Sequence, residues 1–341
     1  MTPDLQDRPA PIRPLLPRWM PFLLVVGLIG MAARQGFRPI GDPDTWWHLR
    51  LGDDLWRSWN FTDPAPWTRF ATEPWVTTQW LPEVIASRVE HVFGLPGVVW
   101  LLCAGLVLLA AVLYLTCRGE ADVLAATVAT LVAFLGMSAT LTPRPQLVSF
   151  ILLLVVTSAW LRTTRDLRPR WWLIPLSWLW ACSHGMWFSG IAVGAVVVVG
   201  LILDHRIRGV IALRLLAIPV SSLILASMTP AGPRLLASPF AVAGVTEFIT
   251  EWASPSIHDL SAAATAGMIA VVALTWARGR QVAWTQIGLL LLATCWAMLS
   301  ARTVTLAAAM VAPLMAAALQ SLLPGDTPRV SRRTSSRVMA L

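Results

Sequence analysis

Residues 96–117, PGVVWLLCAGLVLLAAVLYLTC, form an apolar run without a charged side chain. As a helix rising about 1.5 Å per residue, this run is long enough to cross a hydrocarbon core about 30 Å thick. Similar runs recur along the chain and predict an all-α polytopic membrane protein with about ten transmembrane helices. The predicted crossings are 19–37, 96–117, 121–141, 145–162, 171–183, 186–203, 211–229, 261–277, 281–300 and 303–323.

The composition supports this class and excludes others. Of the 341 residues, 56% are hydrophobic and 13% are charged, and the mean hydropathy is +0.66, whereas soluble domains carry about 25% charged residues. All 26 basic residues are arginine, which excludes a P-loop lysine, a Schiff-base lysine and a Ser-Lys dyad. Because the arginines lie at helix ends and not on one face, we expect no nucleic-acid partner.

The distribution of arginine predicts the orientation. With a cytoplasmic N-terminus, 17 of the 26 arginines fall on the inner side, as the positive-inside rule requires. This predicts a multi-pass protein of the plasma (inner) membrane with both termini cytoplasmic. The first crossing also has the basic lead and apolar core of a cleavable signal peptide, but an uncleaved anchor is favoured. Both alternatives place the following loop outside.

The chain is predicted to be a single transmembrane domain over 1–323 with a disordered cytoplasmic tail over 324–341. Its two long non-membrane segments, 38–95 and 230–260, both fall on the outer side. The cytoplasmic connections are too short for a nucleotide-binding domain. We therefore expect any chemistry at the outer face.

The first outer loop holds eight of the eighteen carboxylates and seven of the nineteen tryptophans. Within it, 45–59 and 78–92 have the periodicity of two amphipathic surface helices. The first has Trp46, Leu49 and Trp56 on one stripe, and the second has Trp80, Val84 and Val92. Thr45 and Thr78 are the expected N-caps.

The loop opens with Gly41-Asp42-Pro43-Asp44-Thr45-Trp46-Trp47-His48-Leu49-Arg50. Two carboxylates flank a proline that fixes φ and disfavours helix at the preceding residue. This holds Asp42 and Asp44 at the mouth of the membrane, where a helix N-terminus favours negative charge. The alternative is that Asp44 is only a helix N-terminal charge and Asp42 a solvated turn residue.

This stretch, with Pro74-Trp75-Val76 and Gln79-Trp80-Leu81-Pro82-Glu83, resembles the first outer loop of membrane glycosyltransferases of the GT-C fold, most closely a bacterial multi-pass branch of that superfamily. The resemblance implies a polyprenyl-phosphate-linked sugar as donor and an acidic catalytic motif in this loop, here Asp44 and Asp42. The chain is shorter than typical members, and it lacks a C-terminal outer domain and the Trp-Trp-Asp acceptor motif of oligosaccharyltransferases.

Further residues are assigned to this hypothesis. Arg144, Arg302 and His184 are candidate donor phosphate-binding residues, because a guanidinium at the outer face needs an anion. The alternative for each arginine is an outer carboxylate, and the alternative for His184 is the backbone of a helix broken at 183–185. The candidate sugar or acceptor contacts are Trp46, Trp47, His48 and Trp75.

No cofactor is required by the sequence, although a divalent cation (Mg or Mn) is considered. Its ligands would be Asp42, Asp44, Glu247 and Glu251, since Glu247 and Glu251 are four residues apart and would repel each other unless a cation lies between them. The alternative is that these carboxylates are solvated loop residues.

The resemblance predicts an inverting hexosyl or pentosyl transferase acting at the outer face on a glycan, lipid or protein acceptor, with membrane lipids as further partners. In it, Asp44 or Asp42 accepts the proton of an acceptor hydroxyl. Two alternatives remain open: a transporter or flippase of a lipid-linked or anionic substrate, and a non-catalytic scaffold of the same fold.

Overall fold

The computed structural model describes residues 40–61, 76–237, 250–278 and 281–323, with a few helical positions between 22 and 34. These residues form helices, and the same part of the chain contains no strand. The helices are α1 (Asp44–Ser58), α2 (Trp80–Phe93), α3 (Leu95–Arg118), α4 (Val123–Met137), α5 (Gln146–Asp166), α6 (Leu173–Ser183), α7 (Phe188–Leu203), α8 (Gly209–Ala226), α9 (Leu260–Ala277), α10 (Trp284–Leu299) and α11 (Ala301–Leu322).

Within the described residues, seven helical segments are long and apolar enough to cross a membrane. They contain α3, α4, α5, α7, α8, α9 and α11, while α6 and α10 are apolar but shorter. All nine correspond to predicted crossings. The remaining predicted crossing, 19–37, lies mostly outside the described residues, as does the predicted tail 324–341, so the total of ten stays a prediction.

The eleven residues of α6 span about 16 Å, roughly half of a hydrocarbon core. The helix ends where predicted: His184 has extended backbone (φ −169°, ψ 147°) and is followed by the 3-10 helix Gly185–Trp187. The turn between α6 and α7 lies beside the first turns of α5 and α11, where His184 contacts Ser149 and Arg302.

Contacts between connections define two ends of the bundle. At the first, called the Asp42 end, Arg144 pairs with Asp42 and Glu251, and Ala301 N–H donates to the Ala253 carbonyl at 2.9 Å. At the second, called the Glu120 end, Arg165 pairs with Glu120. Its other contacts join Asp122 to Gln320 and Asp204 to Trp284. Each end collects alternate connections, as helices that cross in alternating directions require.

Helix α11 lies at the centre and packs against α3, α4, α5, α9 and α10. Small side chains let these helices approach closely. Its fully buried alanines are Ala307, Ala308, Ala309, Ala312, Ala316 and Ala318. The central position of α11 carries its first residues, including Arg302, to the middle of the Asp42 end.

The two amphipathic helices are present as α1 and α2 and pack together. Leu51, Leu55 and Val84 form their shared core. Of the predicted stripe, Leu49 is buried while Trp46 and Trp56 are exposed. The helices approach so closely that a Cβ added to Gly52 would lie 2.0 Å from the Glu83 carbonyl oxygen.

The predicted threonine caps are also wrong. The N-cap of α1 is Pro43 and that of α2 is Gln79, and neither makes a side-chain cap. Thr45 instead lies within the first turn of α1, where it is buried. The carboxylate of Asp42 takes over the capping role because Asp44 N–H donates to its Oδ1 at 3.1 Å.

Candidate functional site

Arg144 is the centre of a charge cluster at the Asp42 end. Its Nε donates to Asp42 Oδ2, and its Nη2 donates to Asp42 Oδ1 at 2.7 Å. Its Nη1 lies 3.0 Å from Asp44 Oδ2 and 2.5 Å from Glu251 Oε1. In the structure Arg144 therefore pairs with carboxylates, which was the alternative to a phosphate contact.

The cluster shifts the titration of its members. Burial opposes ionisation of Asp42, but the hydrogen bonds and positive charge of Arg144 outweigh it and lower the pKa of Asp42. Burial likewise opposes the charge on Arg144, and the surrounding carboxylates outweigh it and raise the Arg144 pKa. Both groups are therefore held in their charged forms.

Arg302 lies on the other side of Glu251. Its Nη1 is 3.5 Å from Glu251 Oε2, and its guanidinium lies 5.8 Å from the ring centroid of Trp252. Its Nη2 is 3.3 Å from His184 Nε2. Its Nε is buried without a hydrogen-bond partner among the described residues. Arg302 therefore uses its five N–H donors less completely than Arg144 does.

His184 connects Arg302 to the interior. Its Nδ1 lies 3.0 Å from Ser149 Oγ, which also accepts from Trp180 Nε1–H at 2.7 Å. The guanidinium of Arg302 has only donors, so Nε2 must accept and the ring proton belongs on Nδ1. In this tautomer Nδ1–H donates to Ser149 Oγ, so Nδ1 cannot accept from the Met186 N–H that lies 3.3 Å away. The backbone role would require the other tautomer, and contact with the site arginine is the role that this ring fills.

A polar cavity of about 520 Å³ opens beside this cluster. It lies between the end of α4 and the starts of α9 and α11, and its polar wall includes Thr142, Arg144, Glu251, His258, Asp259 and Arg302. Two arginines and two carboxylates in one wall suit a ligand that carries both an anion and hydroxyl groups.

Two apolar grooves adjoin the polar cavity. The first, called the α3/α5 groove, measures about 350 Å³ and is walled by apolar side chains of α3 and α5, with Thr45, His48, Glu83 and Arg144 at one end. The second, called the α9/α10 groove, measures about 440 Å³ and shares Pro255, Ala262 and Val304 with the polar cavity. Arg144 lines both the polar cavity and the α3/α5 groove.

A second ionisable pair joins α1 to α2. His48 Nδ1 lies 2.8 Å from Oε1 of Glu83, whose side chain has no exposed surface. Glu83 Oε2 is buried without a hydrogen-bond partner among the described residues. Burial raises the pKa of Glu83, and His48 only partly opposes this. The periodicity places Glu83 on the polar face of α2, so the sequence contains no sign that α1 covers it.

The remaining candidates lie apart or outside the described residues. Trp46 and Trp47 are largely exposed, and Trp46 lines a surface pocket beside Arg50 and Arg88 instead of the polar cavity. Trp75 and Glu247 lie outside the described residues.

The carboxylates proposed for a divalent cation surround a guanidinium instead. Arg144 lies among Asp42, Asp44 and Glu251. In the part of the chain that the structure describes, no three His, Cys, Asp or Glu side chains are arranged to hold a metal ion. The arrangement of Asp42, Asp44 and Glu251 therefore does not fit a shared divalent cation.

Comparisons of the chain with protein-family models and with curated proteins gave no match.

Proposed function

We propose that the chain is a glycosyltransferase of the GT-C type that transfers a sugar from a polyprenyl-phosphate donor to an acceptor at the outer face of the plasma membrane. The observation that carries this proposal is a polar cavity, walled by Arg144, Glu251 and Arg302, that adjoins apolar grooves between membrane helices. A sugar linked through phosphate to an apolar chain has the same succession of polar and apolar parts.

The donor phosphate is assigned to Arg302. All donor nitrogens of Arg144 are engaged by three carboxylates, whereas the Nε of Arg302 has no partner among the described residues and its nearest carboxylate contact is 3.5 Å. A phosphate bound there gains charge-assisted hydrogen bonds without breaking strong ones. The donor chain then runs into the α9/α10 groove, which shares Val304, two residues from Arg302, with the polar cavity.

The catalytic base is assigned to Asp44. Asp42 is nearly buried and bound through both oxygens to Arg144, whereas Asp44 is 54% exposed and makes one contact at 3.0 Å. Asp44 accepts the proton of the acceptor hydroxyl as its oxygen bonds to the anomeric carbon. The bond from that carbon to the phosphate oxygen breaks, and its electron pair leaves with the phosphate beside Arg302. Attack opposite the leaving phosphate inverts the anomeric centre.

The test is transfer from a panel of polyprenyl-phosphate sugars by the purified protein, compared between the wild type and Asp44→Asn. Loss of a general base lowers turnover by about 100-fold or more, and we expect the thermal unfolding midpoint to stay the same. Asp54→Asn is the matched control, because Asp54 lies on the same helix and pairs with Arg50, whereas Asp44 contacts Arg144, which lines the polar cavity.

Full turnover in Asp44→Asn would overturn the assignment of the base. Wild-type protein that moves the donor lipid between leaflets without transferring the sugar would instead establish the transporter or flippase. Binding of the donor with neither activity would establish the scaffold.

A further inference from the structure

The α3/α5 groove has the two-part character of a site for an amphiphile. Its long wall is apolar, formed by Leu101, Ala104 and Leu108 of α3 and by Leu147 and Ile151 of α5. From Val98 to Leu108 this wall follows α3 for about 15 Å. The polar residues of its wall, Thr45, His48, Glu83 and Arg144, come from α1, α2 and the connection before α5.

Two buried polar atoms at this end have no hydrogen-bond partner among the described residues. They are Thr45 Oγ1 and Glu83 Oε2, and their side chains are 2% and 0% exposed. Leaving a polar atom buried and unpaired costs about 1–3 kcal/mol. Both atoms belong to residues that line one groove, which indicates that a ligand group bound there supplies the missing hydrogen bonds.

The charges and donors at this end select the kind of group. Glu83 Oε2 can accept a hydrogen bond, and Thr45 Oγ1 can donate one, so one hydroxyl satisfies both. An anion is disfavoured because Glu83 is itself acidic and the single arginine, Arg144, is already engaged by Asp42 and Asp44. His48 holds the other Glu83 oxygen at 2.8 Å and is a positioning residue here.

We infer that the α3/α5 groove binds a hydroxyl-bearing lipid, with its chain along α3 and α5 and its hydroxyl between Thr45 and Glu83, and that this lipid is the acceptor. The acceptor role rests on the transferase proposed above. Arg144 lines both the groove and the polar cavity and contacts Asp44, the proposed base. In the transfer step the single proton of the acceptor hydroxyl leaves its hydrogen bond to Glu83 Oε2 and goes to Asp44, while Thr45 Oγ1 still donates to the hydroxyl oxygen.

Photo-crosslinking of the full chain in vesicles tests the binding. The probes are four C16 chains with a chain diazirine: an alcohol, an alkyl phosphate, an alkyl amine and a headless alkane. We expect the alcohol to label α3 and α5 more strongly than the phosphate and the amine do. Because two hydrogen bonds favour the alcohol, the difference in labelling should be about tenfold.

Ala104→Phe fills the groove from its exposed rim, because Ala104 lines it without being part of the core. We expect this variant to abolish labelling by the alcohol. Val107→Phe is the matched control, since Val107 is an exposed residue of the same helix that does not line the groove.

Glu83→Gln and Thr45→Val test the hydrogen bonds to the lipid hydroxyl. Each should lower labelling by the alcohol by about three- to tenfold and leave labelling by the headless alkane unchanged, which a collapsed groove would not do. Glu90→Gln, on the same helix as Glu83 and outside this groove, is the control and should label as the wild type does.

Three results overturn the inference: preference for the phosphate or the amine, unchanged labelling in Ala104→Phe, or equal loss of alcohol and alkane labelling in Glu83→Gln. The two proposals fail separately. If the alcohol labels the groove but receives no sugar from any donor, the transferase fails and the binding site stands. If a water-soluble acceptor is glycosylated equally by the wild type and Ala104→Phe, the acceptor assignment fails and the transferase stands.

Discussion

The two ends of the bundle use their charges differently. At the Glu120 end, the acidic groups make a helix cap and an ion pair. Asp204 accepts from Trp284 N–H at 2.8 Å at the start of α10, and Asp166 pairs with Arg170 at 2.9 Å. At the Asp42 end, five charged groups from four connections form one cluster beside a cavity: Asp42, Asp44, Arg144, Glu251 and Arg302.

The difference separates structural from candidate functional charge. Asp166 and Arg170 are four residues apart in sequence, and Asp204 caps the start of α10, so short-range ion pairing and helix capping explain these contacts. The cluster around Arg144 caps no helix through its guanidinium, and the Asp42 end leaves buried polar atoms of Arg302 and Glu83 without partners among the described residues. Unpaired buried groups carry a cost that folding alone does not explain.

The largest expected difference between the two ends comes from removing their arginines. Arg144→Gln leaves the nearly buried carboxylate of Asp42 without its partner, and we expect a loss of about 3–5 kcal/mol in unfolding free energy. Arg165→Gln at the Glu120 end should cost about 0–1 kcal/mol, because Arg165 is half-exposed. Thermal unfolding in detergent measures both, and equal losses would contradict the comparison.

An intermediate effect is expected from two glycines at close helix contacts. A Cβ on Gly52 would lie 2.0 Å from the Glu83 carbonyl oxygen, and one on Gly200 would lie 2.5 Å from Thr285 Cα. Since backbone must move in both cases, each Gly→Ala variant should lose about 1–3 kcal/mol. We expect Gly52→Ala alone to reduce the crosslinking of the C16 alcohol as well.

Gly267→Ala is the control for both variants. A Cβ there has no atom within 4 Å, so this variant should gain about 0.5–1 kcal/mol from helix propensity. Loss of labelling in Gly200→Ala would show that the two ends are not independent.

The smallest expected effect is a pH dependence at Glu83. Its pKa is raised by burial, so the folded state binds the Glu83 proton more tightly than the unfolded chain does. The ionised group therefore costs stability once the pH exceeds the folded-state pKa, and this cost disappears as the pH falls below the unfolded pKa of about 4.3. Glu83→Gln should raise the thermal midpoint at pH 7 by about 2–4 °C and change nothing near pH 4.

Asp42 should show the opposite pH dependence of stability to Glu83. Its pKa is lowered, so its contribution to stability is present above the unfolded pKa of about 3.9 and is lost as the pH falls through the folded-state pKa. Asp42→Asn should therefore be less stable than the wild type at pH 7, with a difference that shrinks in acid. A destabilised Glu83→Gln at pH 7 would contradict the assignment of Glu83 as a strained buried acid.

The helices were predictable because hydropathy is a local property. Nine predicted crossings correspond to apolar helices, and the break at His184 followed from an apolar block too long for one crossing and barely long enough for two. The partners of Arg144 were not predictable, because an arginine at a helix end can pair with either a phosphate or a carboxylate. Which of them it meets depends on where the chain brings Asp42 and Glu251.

The sequence by itself determined a polytopic helical membrane protein with an acidic, tryptophan-rich loop between its first two predicted crossings, since apolar run length and periodicity record the burial of each segment. Only the tertiary structure decided that Arg144 binds three carboxylates, that Arg302 keeps an unpaired donor among the described residues, and that α1 covers Glu83. These contacts join residues distant in the chain, and their energies depend on a packing geometry that no local pattern contains.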